Sequence, residues 1–178
     1  MHSSVLEFFE QYTSEAEVKN KTILEVGSLI IGTSVKPIFT QYHPALYMGL
    51  DMILGPGVNV HSKIEDAKFL DPFDIVISAG SLEHAPNWQA FVNGMKRNCA
   101  SEGLLMLTTV SPGFPRHNYP DDFWRFTVED IEKIFSDFEI LVLRSDPLED
   151  HPGVFLKARK PKEFQEKDIS SMEVERIL

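Results

Sequence analysis

The chain contains one cysteine, Cys99, among its 178 residues, so an internal disulfide is excluded. It also opens on a polar segment, without a charged-then-apolar secretory leader, and these two features together predict a cytoplasmic protein. The apolar runs are short. None of them approaches the roughly 18 residues that span a bilayer, so no membrane partner is expected.

Basic residues are scarce. Lysine and arginine number 17 against 27 aspartates and glutamates, and they form no dense cluster. A surface with this charge balance repels a phosphate backbone, so no nucleic-acid partner is expected.

The length suits one domain, which we place in residues 1–160. The charged tail 161–178 has few apolar residues and is predicted to be either a terminal helix or disordered.

Two nucleotide-binding fingerprints are missing as well. Segment 25–32 reads EVGSLIIG, which is not the G-x-G-x-x-G of dinucleotide binders and has no P-loop lysine. A nicotinamide-dependent reductase is disfavoured for this reason, and because no catalytic Tyr-Lys pair is evident. Two glycines in such a turn are equally compatible with a purely structural role.

Two apolar runs nevertheless end in residues that suit a ligand. The run 22–28 ends with Gly27, which lets the backbone come close to a cofactor, and the run 47–51 ends with Asp51, which can hold a ribose. Two successive strands that end in this way make a nucleotide-binding half-fold the leading hypothesis.

The hydrophobic pattern alternates between helix and strand periods. Helices are predicted over 5–12, 87–100 and 128–136, and strands over 22–28, 46–52, 58–60, 73–79 and 103–110. The two closing strands, 138–144 and 154–159, are joined by a turn too short for a crossover helix, so they should be antiparallel. This order predicts an open α/β sheet with helices on both faces, and a ligand beyond the carboxyl ends of its strands.

Several motifs occur in a fixed order along the chain. They are Glu25-x-Gly27, Gly49-x-Asp51, Pro72-Phe73-Asp74, Leu82-Glu83-His84, Gly103 to Thr108, and Asp122-Phe123-Trp124-Arg125-Phe126. Over roughly residues 20–160 the set resembles class I S-adenosylmethionine-dependent methyltransferases, in particular small bacterial ones. The resemblance implies a Rossmann-like sheet of about seven strands, mostly parallel with an antiparallel final strand. It also implies methyl transfer from S-adenosylmethionine to a small-molecule or glycan-like acceptor.

The resemblance implies a cofactor site along the strand ends. Its predicted members are Glu25, Gly27, Ser28, Gly32, Asp51, Met52, Ile64, Glu65 and Ala79. Asp51 is expected to accept hydrogen bonds from the ribose hydroxyls and Met52 to pack on the adenine. The alternatives are an acid that begins a turn for Asp51, and a core role for Met52.

Leu29 and Lys63 depart from the family pattern, which commonly has glycine and an acid at these two positions. The alternative function is therefore a non-catalytic binding module of the same fold, with weakened or lost cofactor binding.

Segment 111–127 is long for a connection and rich in aromatic and charged residues, which predicts either a lid over the substrate or a structural flap. Its predicted acceptor-binding residues are Arg116, Tyr119, Trp124 and Arg125, although Arg125 could instead pair with Asp121 or Asp122 to fix the loop.

The predicted catalytic residues are His117 and His84, because an imidazole titrates near neutral pH and can act as a base. For His84, a role in shaping a helix start is the alternative.

Glu149, Asp150 and His151 are adjacent in one turn, a poor geometry for a coordination sphere, so no metal site is predicted. A homodimer is possible.

Overall fold

The computed structural model describes residues 2–117, 121–148 and 150–177. Its helices are α1 (Ser3–Gln11), α2 (Glu15–Val18), α3 (Lys36–Thr40), α4 (Trp88–Asn98) and α5 (Val128–Ile134), with a 3₁₀ turn at Leu82–His84. Its strands are β1 (Thr22–Val26), β2 (Leu46–Asp51), β3 (Val60–His61), β4 (Phe73–Ala79), β5 (Cys99–Val110), β6 (Trp124–Arg125), β7 (Glu139–Ser145), β8 (Gly153–Arg159) and β9 (Glu175–Arg176).

Seven strands form the main sheet, in the order β3-β2-β1-β4-β5-β8-β7. The strands β1 to β5 are parallel to one another, while β8 runs antiparallel to both β5 and β7. The predicted Rossmann-like α/β sheet, with its antiparallel final strand, is therefore confirmed. The strand order reverses between β1 and β4, and the carboxyl ends of parallel strands at such a point open a crevice for ligands.

Hydrophobic cores lie on both faces of the sheet. One core gathers α4 and α5 around Leu24 and Val76, and the other gathers α1 and α3 around Ile23 and Ile75. Adjacent residues of one strand enter opposite cores because side chains alternate between the faces of a sheet. The prediction of helices on both faces is confirmed.

Helix α5 begins where the sequence indicated. Thr127 Oγ1 accepts a hydrogen bond from the Asp130 amide at 3.1 Å, and Asp130 Oδ2 accepts one from the Thr127 amide at 2.9 Å. This reciprocal cap satisfies two backbone donors that an isolated helix start leaves unpaired. The cap fixes the end of segment 111–127, which is the connection between β5 and α5.

The charged tail differs from its prediction, since it is neither a helix nor disordered. It runs along the core in an extended path, buries Ile169 to 1% exposure, and packs Phe164 against Phe138 with ring centroids 5.5 Å apart. Its strand β9 pairs antiparallel with β6. The few apolar residues of this charged segment are enough to hold it in place because Phe164, Ile169, Met172 and Val174 all pack on the core. Within the described ranges, no helix is both long enough and apolar enough to cross a membrane.

Candidate active site

A cavity of about 400 Å³ opens at the carboxyl edge of the sheet, within the usual range for a small-molecule or cofactor site. It is lined by the segments that follow β1, β2, β4 and β5, together with His2 and Val5 of the amino-terminal region. The ligand crevice expected from the order of the strands therefore exists in the structure.

Gly27 makes the turn after β1 possible. Its φ of +81° is a left-handed conformation that side chains disfavour, and a Cβ on this residue would lie 2.0 Å from Ser81 Oγ. The amides of Gly27 and Ser28 both donate to the Leu50 carbonyl, at 2.9 and 3.1 Å. This turn thus brings backbone to the cavity wall at a position where no other residue fits without strain.

Asp51 lies at the end of β2 and lines the cavity. Its Oδ2 accepts a hydrogen bond from the Leu29 amide at 3.0 Å, and its Oδ1 accepts one from the Ile53 amide at 2.9 Å. A carboxylate offers about four acceptor sites, so two remain for a ligand. Asp51 therefore organises the turn that it begins and can still bind hydroxyl groups.

Leu29 is accommodated by glycines elsewhere. A Cβ at Gly55 would lie 2.4 Å from Leu29 Cδ1, and one at Gly57 would lie 2.5 Å from the Ser28 carbonyl oxygen. The Ile30 amide donates to the Pro56 carbonyl at 2.9 Å and joins the two loops. The absence of a side chain at Gly55 thus leaves room for Leu29, and its absence at Gly57 leaves room for the backbone of Ser28.

Glu25 is 5% exposed and lines the cavity from the carboxyl end of β1. The Tyr47 hydroxyl donates to its Oε2 at 2.8 Å. Burial raises the pKa of Glu25 to about 7, against the lowering effects of the Tyr47 hydrogen bond and of the Lys36 charge. A carboxyl group in this state can gain or lose its proton near neutral pH.

The structure brings most of the predicted cofactor residues together. The cavity lining includes Glu25, Gly27, Ser28, Asp51, Met52, Ile64, Glu65 and Ala79. Gly32 does not line the cavity: it stands in an exposed turn where Ile31 and Thr33 bridge one another, and nothing lies within 4 Å of its Cβ position. Lys63 is exposed and also lines the cavity, beside the buried Ile64.

The other end of the cavity contains a compact polar group formed by Glu83, His84 and His117. Glu83 is 1% exposed, and its Oε2 accepts a hydrogen bond from Thr109 Oγ1 at 2.9 Å. Its other oxygen, Oε1, lies 4.0 Å from His84 Nε2 and 3.9 Å from His117 Nε2. The two imidazole rings meet edge to face, with centroids 4.8 Å apart. Both predicted catalytic histidines are therefore in the cavity and next to one another.

Each imidazole has an oxygen at its Nδ1. His84 Nδ1 lies 2.5 Å from the carbonyl oxygen of Asp121, which can only accept, so this nitrogen carries the proton. His117 Nδ1 lies 3.0 Å from Asp122 Oδ2, off the angle of a hydrogen bond, while the His117 amide donates to the same oxygen at 2.9 Å. Both Nε2 atoms consequently point toward Glu83 at the cavity.

Arg125 is 1% exposed and forms a buried ion pair with Asp122, with its two terminal nitrogens 2.6 and 2.7 Å from the carboxylate oxygens. Burial alone would raise the pKa of Asp122, but the hydrogen bonds from Arg125 and His117 outweigh it, and the pKa lies below its usual value. Arg125 also donates to the carbonyls of Phe114 and Pro115. It therefore fixes the loop through Asp122, as the alternative interpretation held, and does not reach the cavity lining.

The remaining predicted acceptor contacts are also placed away from the cavity, or are not described. Trp124 Nε1 donates to the Ala85 carbonyl at 2.8 Å and its ring packs on the core, so its role is structural. Arg116 is exposed and outside the cavity lining, and Tyr119 lies outside the described residues. From segment 111–127, Phe114 and His117 are the described residues that line the cavity.

Sequence reasoning missed Glu83, Thr109 and Asp122. A signal for Glu83 was present, since it stands in the Leu82-Glu83-His84 motif, next to a histidine that was predicted to be catalytic. Asp122 was considered only as a partner of Arg125, because nothing in the linear order brings it to His117. His2 and His151 also line the cavity, with ring centroids 3.9 Å apart and the rings tilted by 43°, and neither was predicted there.

A family model described as a methyltransferase domain matches residues 38–107. No curated protein sequence matches the chain. Among solved structures, the N-methyltransferase NodS from Bradyrhizobium japonicum is similar with a TM-score of 0.66 and 12% identity, over 90% of this chain and 94% of NodS.

Two further structures show the same fold. The 1,6-didemethyltoxoflavin-N1-methyltransferase of Burkholderia thailandensis, solved with that compound and S-adenosylhomocysteine, gives a TM-score of 0.69 at 13% identity, over 88% of this chain and 78% of that one. The magnesium protoporphyrin IX methyltransferase of Synechocystis, solved with S-adenosylmethionine, gives a TM-score of 0.62 at 16% identity. The match covers 88% of this chain and 76% of that one.

Fold and cavity thus define an α/β protein of the methyltransferase type, with its ligand site at the switch point of the sheet. The domain model over residues 38–107 and the fold shared with these methyltransferases agree with the resemblance, the enzyme class and the S-adenosylmethionine cofactor that the sequence motifs indicated.

Proposed function

We propose that the protein methylates an oxygen or nitrogen atom of a small-molecule or glycan-like acceptor. The observation that carries this proposal is one continuous cavity with a nucleotide-type wall at Gly27 and Asp51 and a polar, imidazole-bearing wall at His84 and His117. Similar folds whose names specify a small molecule, such as the Burkholderia enzyme, support an acceptor of this size.

The residues of the first wall fit the cofactor. Asp51 has free acceptor sites for two ribose hydroxyls, and Ile64 offers a buried apolar surface for the adenine, with Met52 and Glu65 beside it. Ser28 Oγ and Thr108 Oγ1 are buried in the cavity lining without a hydrogen-bond partner in the described part of the chain. Orphaned hydroxyls of this kind are expected where a ligand supplies the missing partner.

Glu25 contributes charge to the same wall. When it is ionised, its carboxylate favours the cationic sulfonium and ammonium groups of the methyl donor, and its pKa of about 7 lets a nearby cation draw off the proton. The donor's methyl group is electrophilic because it is attached to a positively charged sulfur.

At the second wall, we assign proton removal to the His117 Nε2 atom. The other ring nitrogen, Nδ1, lies 3.0 Å from Asp122 Oδ2, so Nε2 is the nitrogen that faces the cavity. With S-adenosylmethionine bound at the first wall, the donor would supply the methyl group and its sulfur would leave with the electrons of the carbon–sulfur bond, while Nε2 would take the proton of the acceptor. The protein's main contributions are alignment of the two reactants and exclusion of water. His84, held by the Asp121 carbonyl, orients the acceptor through its own Nε2.

The buried thiol of Cys99, whose pKa burial raises to about 12, is unreactive and suits a reducing cytoplasm. We propose the cytoplasm as the site of the reaction.

The test is calorimetric titration of the purified protein with S-adenosylhomocysteine, followed by a methyl-transfer screen over hydroxylated, amine-bearing and glycan-like acceptors. We expect micromolar binding, about 8 kcal/mol, and transfer to a member of the screen. Failure to bind at millimolar ligand by the folded protein would favour the non-catalytic module instead.

A further inference from the structure

We propose that Glu83, His84 and His117 bind a divalent metal ion on the acceptor side of the cavity. One ligand atom from each of the three residues can be chosen so that all three atoms lie within 4.8 Å of one another. Two imidazoles and one carboxylate are a ligand set that zinc and related transition-metal ions use when other coordination positions remain open.

The hydrogen bonding around the group leaves the right atoms available. His84 Nδ1–H donates a hydrogen bond to the Asp121 carbonyl, so in the neutral ring Nε2 has a lone pair. His117 has the carboxylate of Asp122 3.0 Å from its Nδ1, an arrangement that orients imidazole ligands of metal ions. Both supporting oxygens come from adjacent residues of one anchored segment.

Glu83 is the third ligand. It is 1% exposed, its Oε2 is occupied by Thr109, and Oε1 faces the two Nε2 atoms without a described hydrogen-bond donor. A buried carboxylate that is ionised needs a positive partner, because removal from water is costly. The Arg125 cation is committed to Asp122, so a metal ion is the natural counter-charge for Glu83.

The distances suit a site that tightens when it is filled. Two ligand atoms at a tetrahedral angle around zinc are about 3.4 Å apart. The present separations of 3.9 and 4.0 Å from Glu83 Oε1 are close to that value. The His117 side chain is 38% exposed, so it has room for the small adjustment that closes this difference.

The open positions of the ion would face the cavity, where the acceptor lies in the proposed function. A hydroxyl group of the acceptor that is ligated there becomes more acidic and loses its proton to solvent, so no imidazole base is then required. This role rests on the proposed function, and it favours acceptors that carry a hydroxyl group. The metal site itself rests only on the geometry of the three side chains.

The test is titration of the tag-free, chelator-treated full chain with Co²⁺, followed by visible absorption, and with Zn²⁺, followed by calorimetry. We expect one ion per chain and the absorption bands of a site with nitrogen ligands. Each of the variants Glu83→Gln, His84→Gln and His117→Gln should bind at least about tenfold more weakly. His151→Gln is the matched control, because His151 lines the same cavity outside the group and its replacement should leave affinity unchanged.

The metal site is disproved if the folded wild-type chain binds neither ion at millimolar concentration, or if all three variants retain wild-type affinity. His117→Gln guards against a folding artefact, because this residue is partly exposed while Glu83 is buried. Titration with S-adenosylhomocysteine on the same samples keeps the two hypotheses separate. Cofactor binding without metal binding rejects the metal site alone, and metal binding without cofactor binding rejects the proposed function alone.

Discussion

Asp51 Oδ2 accepts the Leu29 amide hydrogen at 3.0 Å and thereby ties the end of β2 to the loop after β1. A single carboxylate thus holds the shape of the cavity wall and is available to the ligand. This dual role explains how a loop with leucine in place of glycine retains a defined conformation.

Replacement of Asp51 by alanine should weaken S-adenosylhomocysteine binding by about 100-fold, roughly 3 kcal/mol, because charge-assisted hydrogen bonds and the loop anchor are lost together. Calorimetry measures the change. Asp71→Ala, which removes an exposed acid outside the cavity lining, is the control and should bind normally. Equal affinity of the Asp51→Ala variant and the wild type would show that the carboxylate does not contact the cofactor.

Gly27→Ala should destabilise the fold by about 2–4 kcal/mol. The alanine would have to keep a left-handed φ, and its Cβ would collide with Ser81. Gly32→Ala is a matched control, because its φ is +83° but its Cβ would meet nothing within 4 Å. Chemical denaturation should therefore show a loss of only about 1–2 kcal/mol for Gly32→Ala. Equal losses would mean that close approach at Gly27 has no energetic weight.

Glu25 should make stability depend on pH. Its pKa is about 7 in the folded protein, above the ordinary 4.5, so the folded state binds the proton more tightly than the unfolded chain does. The resulting stabilisation is complete below pH 4.5 and is lost as the pH rises to about 7. The loss is roughly 3 kcal/mol at most. Urea denaturation between pH 5 and pH 8 should show this decline in the wild type and a flatter profile in Glu25→Gln; parallel profiles would contradict the assignment.

Arg125→Ala should cost about 3–5 kcal/mol of folding free energy, because it leaves Asp122 buried without its counter-ion. The exposed pair of Arg159 and Glu139, 3.9 Å apart, provides the comparison. Removing Arg159 should change the unfolding free energy by less than about 1 kcal/mol. If the two variants unfold alike in urea, Arg125 is not the anchor of segment 111–127.

The fold could be predicted because its evidence is periodic and local. A short stretch of sequence is enough to recognise each of the apolar strands β1, β4 and β5, and also the capping box at Thr127. The cofactor wall was predictable for a related reason, since Gly27 and Asp51 end two successive strands that the parallel sheet aligns.

The polar end of the cavity was predicted only in part, since the sequence indicated His84 and His117 but not Glu83. Glu83 and His117 come from separate segments, and their meeting depends on the buried pair of Asp122 with Arg125, which the sequence offered only as one of two alternatives. The path of the tail was also hidden. Its contact with Trp124 is a two-residue strand pairing with no periodic signature.

That pairing of β9 with β6 has a practical consequence for engineering. Arg176 lies over the Trp124 ring at 5.6 Å, and the Ile177 amide donates to the Phe123 carbonyl, so the tail holds the segment that contains Asp122 in place. In the proposed function this segment supports the acceptor side of the cavity. A chain that ends before residue 175 should therefore lose acceptor selection while it still binds the cofactor, and the two properties could be engineered separately.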